Sequence, residues 1–215
     1  MEVPMRPEYG PTLGRLLAPR WNASSRLLRG AVMVAGLGLV VIVVAAALTL
    51  ENAHYSRGGR VPFSFSYRGL YRVAPDRGGY VKIQSRYADG ALKYSYAVAP
   101  LTLPAYSGYI SGELPVYATL YIATLRGRYP DVVLRGEGKT RVNALPGYHV
   151  LYTAGVEGRQ MLGRDVLLLP PRTGVRQGVL IEMLTAPKAT AQVKAPSEVA
   201  SAGVLLRPLK TFTFG

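Results

Sequence analysis

The triplet Gly138-Lys139-Thr140 matches the last three positions of the phosphate-binding loop G-x-x-x-x-G-K-[ST]. In that loop, backbone N–H groups, the Lys and the hydroxyl converge on phosphate and Mg²⁺ at the start of a helix. The match fails on both sides of the triplet. Val133 stands where the first Gly belongs, and Pro146 prevents a long helix from following. The sequence instead predicts a turn at Gly136-Glu137-Gly138 between two strands.

The scarcity of histidine and the absence of cysteine limit other catalytic chemistry. Without cysteine there is no thiol nucleophile, and two isolated histidines, His54 and His149, predict no zinc site. A Ser–His–Asp triad could be built only with His149, for instance with Ser107 or Ser111 and with Asp165. No G-x-S-x-G sequence marks a nucleophilic serine. We therefore interpret His149 as an ordinary strand residue and predict no catalytic, cofactor-binding or metal-binding residues.

Six carboxylates in the second half of the chain are scattered singly: Glu113, Asp131, Glu137, Glu157, Asp165 and Glu182. A glycosidase needs two converging carboxylates, and spacing along the sequence does not show convergence. Glu182 differs from the others because apolar residues flank it on both sides. The sequence favours the polar face of a strand, or an ion pair with a nearby Arg, for Glu182. A hydrolase that uses these carboxylates or His149 is the alternative.

Three basic residues, Arg135, Lys139 and Arg141, form a candidate anion-contact patch, because a turn and a strand start hold them close together. The chain has 26 Lys and Arg against 12 Asp and Glu, a net charge of +14. Such an excess attracts anionic partners such as lipid head groups or acidic wall polymers. A solvated face explains the three residues equally well. The Ala-, Gly-, Val- and Arg-rich composition is also typical of a high-GC bacterial protein.

The run Ala31–Leu50 lacks charged side chains and has the length of about twenty apolar residues with which a helix crosses a bilayer. It predicts a transmembrane helix. A cleavable signal peptide is the alternative, with Ala45-Ala46-Ala47 as its cleavage site. The long apolar run and the long segment before it favour an uncleaved signal-anchor.

The residues on either side of the run predict the orientation and the division of the chain. Arg26 and Arg29 lie closest to the membrane, and long downstream domains cross it largely regardless of charge. We therefore expect a basic, Pro-containing and disordered cytoplasmic tail at residues 1–30, a span at 31–50 and an extracytoplasmic domain at 52–215. An extracytoplasmic domain makes nucleic acid an unexpected partner.

The domain carries the patterns of an α+β fold with a mainly antiparallel sheet. Alternating apolar residues predict strands at 61–67, 80–87, 91–98, 132–135, 139–143, 148–154, 161–169 and 178–185. Hairpin loops are predicted at Ala88-Asp89-Gly90 and at Gly155–Gly158. A long helix is predicted over Ser111–Tyr129, apolar on both sides and therefore expected to be covered, and a short helix over Ser197–Val204.

All four phenylalanines stand in two period-two pairs, Phe63 with Phe65 and Phe212 with Phe214. Each pair should point to one face of an extended segment. We expect the C-terminal segment to return to the sheet beside the strand at 61–67.

The order of these elements resembles the PsbP-like α/β sandwich, which includes the photosystem II extrinsic protein and the LpqN-type exported lipoproteins of actinobacteria. The resemblance covers about residues 61–206 and lies in the F-x-F-x-Y strand, the hairpin, "PLTLPAY", the helix ending in "RYP", the strands with "PGY" and the closing helix. It implies a non-enzymatic binding or assembly module without a cofactor. The expected protein is a single-pass, membrane-anchored module that contacts an anionic envelope component or a partner membrane or exported protein.

Overall fold

The computed structural model describes residues 26–49, 53–76, 78–105, 110–172 and 174–215. The chain divides into two compact units, Met1–Thr49 and Leu50–Gly215. The first contains helix α1 (Arg26–Thr49), whose described apolar side chains are exposed, among them Met33 and Ile42. The predicted basic tail lies outside the described residues up to residue 25. No helix in the described part of the chain combines the length and hydropathy that a membrane crossing requires.

The second unit contains ten strands, two helices and one 3₁₀ turn among its described residues. The strands are β1 (Ala53–Arg57), β2 (Phe63–Tyr67), β3 (Tyr71–Val73), β4 (Val81–Arg86), β5 (Leu92–Thr102), β6 (Val133–Val142), β7 (Leu145–Val156), β8 (Arg159–Leu168), β9 (Gln177–Thr185) and β10 (Thr213–Phe214). The helices are α2 (Ile110–Arg128) and α3 (Leu206–Lys210), and the 3₁₀ turn is Pro196–Glu198. The predicted α+β class with antiparallel sheets and few helices is confirmed.

Seven strands form one antiparallel sheet in the order β3-β4-β5-β9-β8-β7-β6. Strand β8 lies inside this sheet, and its segment Asp165–Leu168 is buried on both faces, as its continuous apolar run predicts. The β4–β5 and β7–β8 hairpins turn at the two predicted loops, where Gly90 and Gly158 have positive φ. Strand β6 is at one edge of the sheet, so only β7 pairs with it in the described residues.

Each face of the large sheet is covered by a different layer. On one face, α2 contributes Leu114, Ala118, Tyr121 and Leu125 to a cluster with β7, β8 and β9. On the other face, the small sheet β1-β2-β10 and the segment around α3 pack against β4, β5 and β9. The molecule's second unit is thus a sandwich in which the large sheet is the middle layer.

The predicted return of the C-terminal segment is confirmed. Strand β10 pairs antiparallel with β2, with Thr213 opposite Ser64 and Phe214 opposite Phe63. The rings of Phe63 and Phe212 stack with centroids 5.6 Å apart, and both side chains are almost fully buried.

Two predicted local structures are wrong. Gly136-Glu137-Gly138 is not a turn, because β6 continues through it with a bulge between Leu134 and Gly136. The chain reverses later, at Asn143-Ala144, where both residues have positive φ. Such a two-residue turn matches the twist of the strands that it joins, even though Ala rarely adopts this conformation.

The short helix predicted over Ser197–Val204 is also wrong. The segment contains only the 3₁₀ turn Pro196–Glu198, and the helix forms later as α3. Ala200 and Gly203 adopt positive φ, which interrupts a helix between these two elements.

Helix α2 agrees with its predicted range to within one residue, but its outer side is not covered by described residues. Val116 and Leu120 lie one turn apart on that side and are 62% and 59% exposed. The expectation that both sides of this helix are covered is therefore wrong for Val116 and Leu120.

Candidate functional site

A cleft of about 620 Å³ opens where α2, the β6–β7 hairpin and the loop after β8 meet. Its size falls within the range of roughly 300–1,000 Å³ that is usual for ligand sites. Its lining combines apolar walls with three exposed cations, Lys139, Arg141 and Arg172. The remaining lining residues are Leu114, Thr140, Pro146, Gly147, Tyr148, Leu169, Pro170 and Pro171.

The alternation of β6 places two of these cations on the cleft side. Lys139 lies opposite Tyr148 and Arg141 opposite Pro146. Paired residues of antiparallel strands project to the same face, and Tyr148 packs in the cluster under α2. Lys139 and Arg141 are two residues apart on this strand, so their Cα atoms are about 7 Å apart.

Arg135, the third residue of the predicted patch, is separated from the other two. It lies at the β6 bulge, which removes it from the regular register, and it is not among the cleft-lining residues. Tight hairpin geometry at Asn143-Ala144, rather than a turn at Gly136-Glu137-Gly138, holds Lys139 and Arg141 beside the cleft.

The third cation of the cleft, Arg172, was not anticipated from the sequence. It follows the buried end of β8 in "LLLPPR", where the Arg172 N–H donates to the Pro170 carbonyl oxygen at 2.7 Å. Pro170 and Arg172 also line two smaller concavities on the side of β10. A basic residue directly after a buried strand and two prolines was the available signal, but sequence alone did not show that it meets β6.

All the charged residues that line the cleft are positive. No carboxylate lines it, and none of its three cations forms an ion pair within the described residues. Burial raises the pKa of the Tyr148 hydroxyl, and the negative charge of Glu137 raises it further, so Tyr148 stays neutral in the physiological range. The residues that line the cleft thus form an apolar concavity with three cations at its rim, and the carboxylate of Glu137 lies beside the rim on the same face of β6.

A second candidate, absent from the predicted sites, is a buried acidic cluster between α2 and the large sheet. Asp165 of β8 lies directly opposite Glu182 of β9. The Tyr121 hydroxyl donates to Asp165 Oδ2 at 2.6 Å and lies 3.5 Å from Glu182 Oε1. The Tyr152 hydroxyl and the Met183 N–H both donate to Asp165 Oδ1 at 3.3 Å.

The two carboxylates of this cluster differ in environment. Asp165 is completely buried, and burial together with the nearby Glu182 carboxylate raises its pKa to about 8, against the hydrogen bonds that it accepts. Glu182 forms an ion pair with Arg128, which confirms the predicted pairing with an Arg. Burial lowers the pKa of Arg128, but the charge and hydrogen bond of Glu182, together with nearby Tyr121 and Tyr129, outweigh burial, so the net shift is upward. A protonated Asp165 beside a paired Glu182 leaves no uncompensated buried charge.

Access to solvent decides what the acidic cluster can do. Asp165 is 0% exposed, the Glu182 side chain is 15% exposed, and neither residue lines any of the three concavities described above. A substrate cannot reach both carboxylates in this conformation. The cluster therefore satisfies polar groups between α2 and the sheet rather than presenting an acid–base pair.

The sheet does not bring His149 and Asp165 together as a Ser–His–Asp triad would require. His149 lies opposite Val166, so Asp165, the neighbour of Val166, projects to the other face. Burial lowers the pKa of His149, and the Arg164 charge lowers it further. Ser107 and the side chain of Ser111 lie outside the described residues.

Two of the other carboxylates, Glu157 and Asp131, have local structural partners. Glu157 forms an ion pair with Arg86, with a 2.8 Å contact, and Asp131 Oδ1 accepts the Gly155 N–H at 3.0 Å. Within the described ranges, no group of three or more His, Asp or Glu side chains is arranged to hold a metal ion.

Comparisons with known proteins found structural likeness at low sequence identity. No protein-family model and no curated protein matches the chain. The solution structure of the cyanobacterial PsbP protein CyanoP from Synechocystis sp. PCC 6803 is similar at 15% identity, over 77% of this chain and 94% of that chain, with a TM-score of 0.49. A crystal structure of PA94 from Pseudomonas aeruginosa, a protein of unknown function titled a putative regulator, matches at 12% identity over 65% and 85%, with a TM-score of 0.34.

Proposed function

We propose that residues 53–215 form a non-catalytic binding module that holds an anionic group in the cleft between α2 and the β6–β7 hairpin. The observation that carries the proposal is the lining of this cleft, with three exposed cations and no carboxylate among its lining residues. Cations grouped at a concave apolar wall attract anions more strongly than scattered surface charges do. Lys139 and Arg141 of the predicted patch remain in this proposal, and Arg172 joins them.

The proposal is non-catalytic because the acidic groups are in the wrong place for hydrolysis. The converging pair Asp165 and Glu182 is enclosed, and His149 lies on the opposite face from Asp165. A general acid or base must lie within hydrogen-bond reach of its substrate. Neither arrangement satisfies that requirement at the cleft.

We also propose that the run Ala31–Leu50 attaches the module to the cell membrane, with the N-terminus in the cytoplasm and the module outside. This part of the proposal rests on the absence of charge along the run and on Arg26 and Arg29 before it. Attachment would keep the module close to anionic lipid, wall polymer or a partner membrane or exported protein.

The test uses the full-length protein in nanodiscs of zwitterionic phosphatidylcholine. Retention is measured on beads that carry phosphatidylglycerol and on beads that carry an acidic polysaccharide, at about 0.1 M and about 1 M salt. We expect retention at low salt and its loss at high salt. The triple substitution Lys139→Gln, Arg141→Gln and Arg172→Gln should weaken binding roughly a hundredfold, since each basic residue near an anionic surface contributes about 1 kcal/mol.

Arg135→Gln is the matched control, because Arg135 is an exposed cation of the same strand outside the cleft lining. It should reduce retention far less than any single cleft substitution. Equal losses for Arg135→Gln and Arg141→Gln would mean that the charge of the strand, and not the cleft, makes the contact. Retention that is insensitive to salt would contradict the proposal altogether.

A further inference from the structure

The walls of the cleft offer very few hydrogen bonds to an occupant. Six of its lining residues are apolar or aromatic: Leu114, Pro146, Tyr148, Leu169, Pro170 and Pro171. Three of the six are prolines, which have no backbone N–H to donate. The remaining wall residues already use part of their hydrogen-bonding capacity elsewhere, since Thr140 Oγ1 accepts from Arg164 and Gly147 pairs with both Thr140 and Leu168.

This shortage of partners restricts the chemistry of the part of the ligand that lies against the walls. A peptide or a sugar would bring several polar groups into the cleft and leave them without hydrogen bonds, which is costly. A hydrocarbon chain has no such groups and removes the apolar walls from water. The strongest polar contacts that the cleft offers are those of its three cations, which would bind an anion at the rim.

We propose that the cleft binds a single-chain lipid anion, with the acyl chain along the proline-rich wall and the charged head between Lys139, Arg141 and Arg172. The inference rests on the proposed function and adds the class of ligand to it. A volume of about 620 Å³ suits one compact ligand. The three cations approach the head from two sides, because β6 supplies two of them and the loop after β8 supplies the third.

The experiment is a calorimetric titration of the full-length protein in phosphatidylcholine nanodiscs, with empty nanodiscs as the blank. The probes are hexanoate, octanoate and decanoate, with inorganic phosphate as an anion without a chain and octanol as a chain without a charge. Burial of each added methylene should lower Kd by up to about fourfold. We therefore expect at least a tenfold decrease in Kd from hexanoate to decanoate, and octanoate binding at least tenfold tighter than octanol.

Substitutions inside and outside the cleft show where octanoate binds. Arg172→Gln and Lys139→Gln should each weaken octanoate binding about fivefold, and Arg135→Gln should leave Kd within twofold. Each substituted residue is exposed in the fold. The thermal unfolding of each variant is measured in parallel to show that the variant folds. Octanoate binding that is unchanged by the triple cleft substitution would place the lipid elsewhere and overturn the inference.

The outcomes separate this inference from the proposed function. If phosphate and octanoate bind equally and the cleft variants weaken both, the anion site stands and the lipid inference is wrong. If the cleft variants affect neither probe, the proposed function itself is wrong. A decrease in Kd with chain length in the parent protein, together with much weaker octanoate binding by the triple variant, supports both.

Discussion

Asp165 is the residue whose environment departs most from what its sequence position suggested. It stands in "GRDVLLL" with no neighbouring residue that marks it as special, yet it is fully buried and accepts hydrogen bonds from two tyrosines. Its carboxyl keeps its proton in the folded protein because burial and Glu182 both disfavour the charged form. The residue is therefore a neutral hydrogen-bonding group in the folded state.

This state of Asp165 predicts a pH dependence of stability. The unfolded chain loses the Asp165 proton near pH 4, whereas the folded protein keeps it up to about pH 8. The bound proton therefore stabilises the folded state at low pH, and this contribution is lost as pH rises from about 4 to about 8. The Asp165→Asn variant keeps a neutral side chain, so its free energy of unfolding should fall less over this range, with a difference on the order of a few kcal/mol.

Denaturant unfolding at several pH values measures this difference. Glu137→Gln is the control, since Glu137 is an exposed carboxylate at the edge strand. Its unfolding free energy should follow that of the parent protein at every pH. Parallel curves for the parent and Asp165→Asn would show that Asp165 is ionised in the folded state.

At the scale of elements, the small sheet depends on the last strand of the chain. Phe212 is 0% exposed and stacks on Phe63, whereas Phe214 is only half-buried and contacts Phe212 edge-on. Phe212→Ala should therefore cost about 3–5 kcal/mol of unfolding free energy, the usual loss for a large buried aromatic side chain. Phe214→Ala should cost clearly less, and equal losses in denaturant unfolding would contradict the packing described for Phe212.

The elements that the sequence predicted well are those with strong local patterns. The long helix, the two Gly-containing hairpin loops and the phenylalanine pairs all agree with the structure. The wrong prediction of a turn at Gly136-Glu137-Gly138 also came from a local sequence pattern. Gly136 and Gly138 indicated a turn, but they are tolerated in an edge strand with a bulge, and the real turn uses Ala144 at a positive φ of 69°.

The candidate site was predictable only in part, because it is assembled by strand order. Lys139 and Arg141 could be grouped from their spacing on one strand. Arg172 could not be added, since its approach to them depends on β8 lying beside β7 in the sheet and on where the loop after β8 turns. The meeting of Asp165 and Glu182 has the same cause, because it depends on the register between β8 and β9.

At the scale of the whole molecule, the proposed membrane attachment decides the compartment in which the cleft works. The proposed orientation predicts that protease added to intact spheroplasts digests residues 52–215 and spares the segment before Ala31. Immunoblotting with tags at each end of the chain measures this, and lysed spheroplasts provide the control in which both tags are lost. Protection of the C-terminal tag in intact spheroplasts would show that the orientation is the reverse of the proposed one.

The pairing of β2 with β10 has a consequence for how the protein is made. Ser64 and Thr213, which lie opposite each other, are separated by 149 positions along the chain. A ribosome delivers the N-terminal strands first, so Phe63 remains without its stacking partner Phe212 until that residue has emerged. Contacts of such long range slow folding, and the waiting intermediate exposes apolar surface. The newly synthesised chain should therefore depend on a holding chaperone until Phe212 is released.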